Sequence, residues 1–230
     1  MLLIFMKACF AEAVGTFCLV FAGTGAIVID AASHGSITHV GVAFTFGLIV
    51  LAMIYTVGDV SGAHLNPAVT IGFAVARRFP VSGVLPYVAS QCVGALAASG
   101  LLRVLFPADP TLGTTLPAGS AMQSFILEIV LTAILMFVIL CVSTGAKEKG
   151  ITAGIAVGSV IALEAMFAGP ISGASMNPAR SLAPALVSGH LEHLWVYLLA
   201  PILGALIAVP TCCAVQTGEC CQSAIKPSNP

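Results

Sequence analysis

Two near-identical segments of this chain carry the sequence Asn-Pro-Ala, at positions 66–68 and 177–179. In each copy the residues Ser-Gly-Ala and two further residues precede the Asn, and a short apolar run follows. Asn is a preferred N-cap, and Pro suits the first helical position, where its missing N–H costs nothing. Each copy therefore predicts the start of a helix, over about 67–77 and 178–188. At 1.5 Å per residue each helix is about 16 Å long, roughly half the hydrocarbon thickness of a bilayer.

Composition places these short helices in a membrane. Hydrophobic residues make up 59% of the chain and charged residues 7%, and the mean hydropathy is +1.08, which is typical of an integral membrane protein. The net charge of −1 and the lack of a basic cluster give no indication of a nucleic-acid partner. The eight cysteines lack zinc-finger spacing and predict no disulfide framework. Irregular backbone at membrane depth survives only where it is buried in protein or lines a wet cavity, so the two motifs indicate a functional site.

Six apolar segments surround the two motifs, and each is long enough to cross a bilayer. Gly15, Gly23 and Gly25 in the first segment are small residues that let neighbouring helices approach closely. A tight charged turn is expected over residues 147–150. The predicted fold class is an all-α membrane protein with six transmembrane helices and two half-helices. The predicted spans are about 8–29, 40–57, 82–102, 122–142, 151–167 and 194–215.

Lysine and arginine residues determine the expected orientation, because cytoplasmic loops of membrane proteins carry an excess of them. Arg103 alone falls outside when both termini are cytoplasmic, and Arg180 belongs to the second half-helix. We therefore expect cytoplasmic termini and half-helices that enter the membrane from opposite faces. The membrane is expected to be a cell membrane, either a plasma membrane or a bacterial inner membrane. The residues then on the cytoplasmic side are Lys7, Arg77, Arg78, Lys147, Lys149 and Lys226.

The similarity between the two halves extends beyond Asn-Pro-Ala, because Glu-x-x-x-Thr begins at Glu12 and again at Glu128. Repeat A, about 8–105, and repeat B, about 121–215, each hold three spans and one half-helix. Three is an odd number, so the repeats must have opposite orientations in the membrane. Such inverted repeats place the functional site near the midplane, between the halves. Residues 216–230 are expected to form a cytoplasmic tail.

Over essentially its whole length the chain resembles the aquaporin, or major intrinsic protein, family. The paired Asn-Pro-Ala motifs, the two Glu-x-x-x-Thr segments and the Arg that follows the second motif carry this resemblance. The stretch 167–181, Phe-Ala-Gly-Pro-Ile-Ser-Gly-Ala-Ser-Met-Asn-Pro-Ala-Arg-Ser, is similar to the nodulin-26-like branch in particular. That branch is associated with glycerol and uncharged metalloid acids as well as water.

The resemblance implies a single channel domain over residues 1–230 that passes water and small uncharged solutes and excludes protons and ions. The solutes expected are glycerol, urea and metalloid acids such as boric or arsenous acid. The resemblance also implies a homotetramer in the lipid bilayer with one pore per subunit. A water-selective aquaporin is the alternative, with a secondary transporter or a membrane junction protein as further ones. The sequence holds no paired-carboxylate site, nucleophile elbow or metal-ligand set, so neither an enzyme nor a cofactor is expected.

The centre of the pore is expected at the two motifs, Asn66-Pro67-Ala68 and Asn177-Pro178-Ala179. Each helix N-terminus carries roughly half a positive charge, and two such ends at the midplane oppose cations and hydronium. The Asn side-chain oxygens cap the helices, which leaves the amide groups free to donate to a passing oxygen; alternatively, both Asn are caps only. Backbone carbonyl groups in the extended loops lack helical partners. Those expected to line the pore belong to Gly62, Ala63, His64, Gly173, Ala174 and Ser175.

The resemblance places a further constriction, a selectivity filter, on the extracellular side at Phe46, Ala165, Ala174 and Arg180. Strict water channels of the family carry His at the position of Ala165. A wider, partly apolar opening that admits polyols or small neutral acids is therefore expected. Phe46 is the water-channel residue at its position, which argues against large metalloid substrates. Arg180 is expected to donate hydrogen bonds there and to repel cations, or alternatively to form a structural pair with Glu164.

Glu12 and Glu128 are acids inside predicted spans, where ionisable groups are functional by default. A proton-coupled transporter would use them, whereas the resemblance implies that both brace the motif loops by accepting backbone N–H hydrogen bonds. His64 is expected to anchor its loop, with a gating or metal-binding role as the alternative. The remaining histidines are expected in loops and form no ligand set: His34, His39, His190 and His193.

Overall fold

The computed structural model describes residues 2–143 and 147–216, with side chains described for all of these except 147–151. Within these residues the chain forms eight α-helices and no strand. Six of the helices are long and apolar enough to cross a membrane, which confirms the predicted fold class and a multi-pass integral membrane protein. The helices are α1 (Leu2–Ala32), α2 (Thr38–Ser61), α3 (Pro67–Val75), α4 (Val81–Leu105), α5 (Ala121–Val142), α6 (Lys147–Ser172), α7 (Pro178–Ser188) and α8 (Leu194–Val215).

The limits of α7 and α8 are those predicted from the sequence, whereas α3 is shorter than predicted and the other spanning helices extend beyond their predicted spans. Helix α3 ends at Val75 because the chain turns there, with a φ of +58° at Arg77. Helix α6 begins at Lys147, so the prediction of a turn over 147–150 is wrong. Because Lys and Glu are good helix formers, the helix begins before the apolar segment from which the span was predicted.

The two half-helices begin as the cap preferences predict. Asn66 has an extended backbone (φ −156°), and its side chain accepts a hydrogen bond from the backbone N–H of Ala68. Asn177 does the same for Ala179 and Arg180. Proline occupies the start of both helices. Of the otherwise unpaired N–H positions at the helix starts, two in α3 and three in α7 are thereby either satisfied or absent.

The helices form two groups with the same internal arrangement. In the first group α1 packs against α2 and α4, and in the second α5 packs against α6 and α8. Contacts between α2 and α6 join the groups. The half-helices cross between them, because α3 lies mainly against α8 and α7 lies mainly against α4. Each half-helix is thus held by the other half of the chain, and α3 and α7 are in contact.

Glycines at corresponding positions allow the closest helix crossings. A Cβ at Gly94 in α4 would lie 2.0 Å from the carbonyl oxygen of Ala13, and one at Gly204 in α8 would lie 2.4 Å from that of Ile129. Such short contacts essentially never occur, so both positions require glycine. Small residues at crossings are typical of membrane helices, where packing rather than the hydrophobic effect holds the helices together.

His39 was expected in a loop, but it lies in the first turn of α2, so that prediction is wrong. Its Nε2 lies 2.8 Å from the carbonyl oxygen of Met166 in α6. In a regular helix the N–H of residue 170 would bond this carbonyl, but Pro170 has none. His39 therefore occupies a hydrogen-bonding position that the proline leaves open.

The cysteines differ in part from expectation. Cys212 and Cys213, near the end of α8, are both disulfide-bonded, which the prediction of no disulfide framework missed. Residues 217–230, almost all of the predicted tail, lie outside the described residues. Free thiols are found at Cys9, Cys18, Cys92 and Cys141.

Candidate functional site

A cavity of about 120 Å³ lies where the two motif loops meet. Helices from both halves contribute to its wall, including α2, α3, α5 and α6. The predicted site residues that line it are Phe46, Gly62, Ala63, His64, Asn66, Ala165, Ala174, Ser175, Asn177 and Arg180. The predicted pore residues that do not line it are Gly173 and the Pro and Ala of both motifs, Pro67, Ala68, Pro178 and Ala179, and those four are buried in α3 and α7. Glu12 and Glu128, predicted to brace the loops, do not line it either.

The two motif asparagines connect the loops to each other. Nδ2 of Asn66 donates to the carbonyl oxygen of Met176 at 2.7 Å, and Nδ2 of Asn177 donates to that of Leu65 at 2.8 Å. Each side chain thus caps its own helix with its oxygen and reaches the opposite loop with its nitrogen. The sequence predicted that both amide groups are free to donate into the pore, but each already donates one hydrogen bond to the opposite loop. One hydrogen of each NH2 remains for a partner in the cavity.

Glu12, fully buried in α1, holds the first loop. One carboxylate oxygen accepts from the backbone N–H of His64 at 2.9 Å and from the Ser61 hydroxyl at 2.7 Å. The other accepts from the backbone N–H of Leu65 and from the Gln91 amide, both at 2.7 Å. Four donors therefore converge on one buried acid. Hydrogen bonds to a charged acceptor are about twice as strong as neutral ones.

Glu128, fully buried in α5, makes the corresponding contacts with the second loop. It accepts from the backbone N–H groups of Ser175 and Met176, each at 2.8 Å, and from the Ser172 hydroxyl at 2.7 Å. Both loops contain residues in the left-handed region, which costs roughly 1–2 kcal/mol for a residue other than glycine. The acids offset this cost by binding the N–H groups that the unusual backbone exposes. The non-glycine residues concerned are Ala63 (φ +47°), Leu65 (φ +52°), Ala174 (φ +42°) and Met176 (φ +53°).

The position after Ser-Gly-Ala differs between the two loops. His64 lies 3.1 Å from the Thr70 hydroxyl through Nδ1, and its ring stacks on Phe73 with centroids 4.7 Å apart. Ser175 in the second loop instead bonds the Asn177 carbonyl at 3.0 Å. His64 is thus fixed at the cavity wall by its own half-helix. Among the described residues, no group of three His, Cys, Asp or Glu is placed to hold a metal ion.

Arg180 is 2% exposed and reaches the cavity wall near Phe46. Its Nη1 donates to the carbonyl oxygen of Gly113 at 2.8 Å, and its Cζ lies 5.0 Å from the centroid of the Phe46 ring. That distance is within the range of a cation–π contact. Phe46 is 9% exposed and lines the cavity, whereas nearby Phe44 is 50% exposed and does not. Ala165 lines the same cavity.

Glu164 does not pair with Arg180. Glu164 is 1% exposed, and within the described residues neither of its carboxylate oxygens has a hydrogen-bond partner. Arg180 uses the loop carbonyl of Gly113 instead. The alternative of a structural Arg180–Glu164 pair is therefore wrong in this structure.

Several partners of the site residues, including the Met176 carbonyl that accepts from Asn66, were not found from the sequence. Gln91 is the fourth donor to Glu12, and a polar residue inside an apolar span was the available signal. The carbonyl groups of Gly113 and Leu65 accept from Arg180 and Asn177. Backbone acceptors in loops leave no sequence signal of this kind.

Comparison with known proteins finds similar proteins over most of the chain. The sequence profile named "Major intrinsic protein" matches residues 2–210. "Aquaporin NIP1-1" of Oryza sativa subsp. japonica is 50% identical over 203 residues, 88% of this chain and 72% of that protein. "Nodulin-26" of Glycine max is 47% identical over 203 residues, 88% of this chain and 75% of that protein. The solved structure of the aquaglyceroporin from Plasmodium falciparum matches with a TM-score of 0.81 and 26% identity, covering 89% of this chain and 93% of that one.

Proposed function

Because the chain belongs to the major intrinsic protein family, a family of channels and not of enzymes, we propose that it passively conducts water and small uncharged solutes and excludes protons and ions. The solutes proposed are glycerol, urea and small metalloid acids such as boric or arsenous acid. The conducting path is the cavity between the motif loops. One channel domain over residues 1–230, built from repeats 8–105 and 121–215, forms it.

The observation that carries the proposal is the meeting of both motifs at one cavity. Asn66, Asn177 and Arg180 all line it, and all three are hydrogen-bond donors. The rest of its wall is largely aliphatic, with residues such as Val50, Leu135 and Ile161. These donors offer passing water a defined set of hydrogen-bond partners. Because the rest of the wall is largely apolar, few groups bind water tightly enough to slow its passage.

Proton and cation exclusion follows from the charges around the cavity. The N-termini of α3 and α7 bring two positive dipole ends together. Each Asn can donate one N–H to a water oxygen at this point, which orients that oxygen toward the motifs. The Arg180 guanidinium adds a full positive charge in the same cavity. Fixed positive charges of this kind are barriers to cations in pores.

The solute range rests on the small side chains at the constriction. Ala165 and Ala174 contribute only methyl groups to the wall shared with Phe46 and Arg180. Two methyl groups leave room for carbon-bearing solutes, and the name of the Plasmodium structure, an aquaglyceroporin, supports this. The alternative is a water-selective channel. The position of the Phe46 ring beside the Arg180 guanidinium favours it, because the two together restrict the opening.

A secondary transporter would need an intramembrane acid that exchanges protons with a wet path. Glu12 and Glu128 are fully buried and already accept four and three hydrogen bonds from loop or neighbouring donors. These hydrogen bonds support a role of both acids in bracing the loops rather than in proton-coupled transport.

We further propose cytoplasmic termini, a homotetramer with one pore per subunit, and a plasma or bacterial inner membrane location.

Stopped-flow light scattering on proteoliposomes tests the solute range. Vesicles are mixed in turn with sucrose, glycerol, urea and boric acid. Fast shrinkage followed by fast re-swelling in glycerol or boric acid is the expected result. Fast shrinkage without re-swelling in any solute would refute the solute range and leave a water-selective channel.

A further inference from the structure

The Phe46 ring borders a glycine of the neighbouring helix. A Cβ at Gly23 in α1 would lie 2.1 Å from Cε1, 2.5 Å from Cδ1 and 2.6 Å from Cζ of this ring. Arg180 lies over the ring at the same time, with its Cζ 5.0 Å from the centroid. Phe46 therefore occupies space that any side chain at Gly23 would fill. Gly23 itself does not line the cavity.

This contact differs from that of the next glycine along the helix. A Cβ at Gly25 would meet only Leu102 Cδ2, at the ordinary contact distance of 3.4 Å. Gly25 is therefore open to substitution by alanine, and Gly23 is not. Both glycines are buried in α1, so burial alone does not explain the difference. What distinguishes Gly23 is that its neighbour is the aromatic ring at the cavity wall.

We propose that Gly23 is a specificity-determining residue, which sets the position of the Phe46 ring and thereby the width of the constriction. The inference rests on the proposed role of Phe46 in the channel. Moving the nearest ring carbon from 2.1 Å to an ordinary 3.4 Å from a Cβ requires a shift of about 1.3 Å. Phe46 lines the cavity and Gly23 does not, so the ring separates Gly23 from the open space. A side chain at position 23 therefore displaces the ring toward the conducting path.

A narrower opening affects solutes in order of their width. Water is the smallest permeant, so its permeability should fall least. Glycerol needs more of the cross-section of the constriction, so its permeability should fall most. Gly23→Ala should lower the ratio of glycerol to water permeability by at least about tenfold, the lower end of the discrimination that one methyl group produces in a packed site. Gly25→Ala adds the same methyl group to the same helix and should leave the ratio unchanged.

The test compares four purified proteins in proteoliposomes by stopped-flow light scattering: the unmodified chain, Gly23→Ala, Gly25→Ala and the double variant Gly23→Ala with Phe46→Leu. The double variant removes the ring atoms that the new methyl group meets, so it should regain glycerol permeability. A general packing defect in α1 would lower water permeability together with glycerol permeability, so the ratio of the two would not fall. An unchanged ratio in Gly23→Ala, equal losses in both alanine variants, or no rescue in a folded double variant would overturn the inference.

Failure of the proposed function is distinguishable from failure of this inference. If the unmodified chain passes water but not glycerol, the solute range fails, and the same comparison is then made on water permeability. A structure of Gly23→Ala supplies a readout that does not depend on conduction. A ring displaced by about 1 Å toward the cavity supports the inference. An unmoved ring, with α1 shifted away from α2 instead, contradicts it.

Discussion

Replacing Glu128 with Gln tests how the motif loops are held. One carboxylate oxygen of Glu128 accepts from the Ser172 hydroxyl and the Ser175 N–H, and the other accepts from the Met176 N–H. A Gln amide keeps one acceptor oxygen, and its NH2 group then faces a backbone donor. At least one charge-assisted hydrogen bond is lost, and one buried N–H in a left-handed stretch of backbone is left unpaired.

The expected cost follows from these contacts. A hydrogen bond to a charged group contributes about 1.5–3 kcal/mol, and an unpaired buried donor costs about 1–3 kcal/mol. Glu128→Gln should therefore lower the free energy of unfolding by about 3 kcal/mol, which lowers the unfolding midpoint by about 6–12 °C in a chain of this size. Glu12→Gln should cost more, because its second oxygen accepts from both Leu65 N–H and the Gln91 amide.

Thermal unfolding followed by circular dichroism in one detergent measures these effects. Glu164→Gln is the matched control, because Glu164 is equally buried and its oxygens have no hydrogen-bond partner within the described residues. Its midpoint should stay the same or rise. Equal falls in all three variants would refute the reasoning, because the loss of buried charge, and not of loop contacts, would then explain them. A fall below about 2 °C for Glu128→Gln would refute the magnitude.

Three further changes have expected outcomes. Ala165→His narrows the constriction, so glycerol flux should fall while water flux survives; unchanged glycerol flux would contradict the placement of Ala165. Arg180→Val removes the guanidinium beside Phe46, and a pH-sensitive dye inside proteoliposomes should report a proton or cation leak; tight vesicles would show that the helix dipoles suffice. His39→Ala leaves the Met166 carbonyl unpaired, and the unfolding midpoint should fall by about 2–4 °C, the equivalent of about 1 kcal/mol, while His39→Gln retains a donor and should lose less.

Local signals in the sequence predicted most of the helices. The caps at Asn66 and Asn177 depend on residues within three positions, and the structure has both. Apolar runs predicted the six spans, because a run of apolar residues is likewise a local feature of the sequence. The start of α6 at Lys147 was missed because hydropathy does not detect a charged helical turn outside the apolar segment.

Contacts between distant parts of the chain were harder to predict. Gln91 and Glu12 meet only because α4 packs on α1, and the Gly113 carbonyl reaches Arg180 from a loop. Gly23 was recognisable as a helix-contact residue, yet its partner, Phe46, depends on how α1 and α2 are rotated. The helical period predicts the face of the helix on which a residue lies, but it does not predict which side chain of a neighbouring helix that residue contacts.

We propose above all that this chain is a passive water channel that does not carry protons. The most direct measurement uses one batch of proteoliposomes containing a pH-sensitive dye, first under a sucrose gradient and then under a pH gradient. The account predicts shrinkage much faster than in protein-free vesicles, without saturation and without an ion gradient, and a proton leak equal to that of protein-free vesicles. Shrinkage no faster than in protein-free vesicles, or flux that requires an ion gradient, would contradict it.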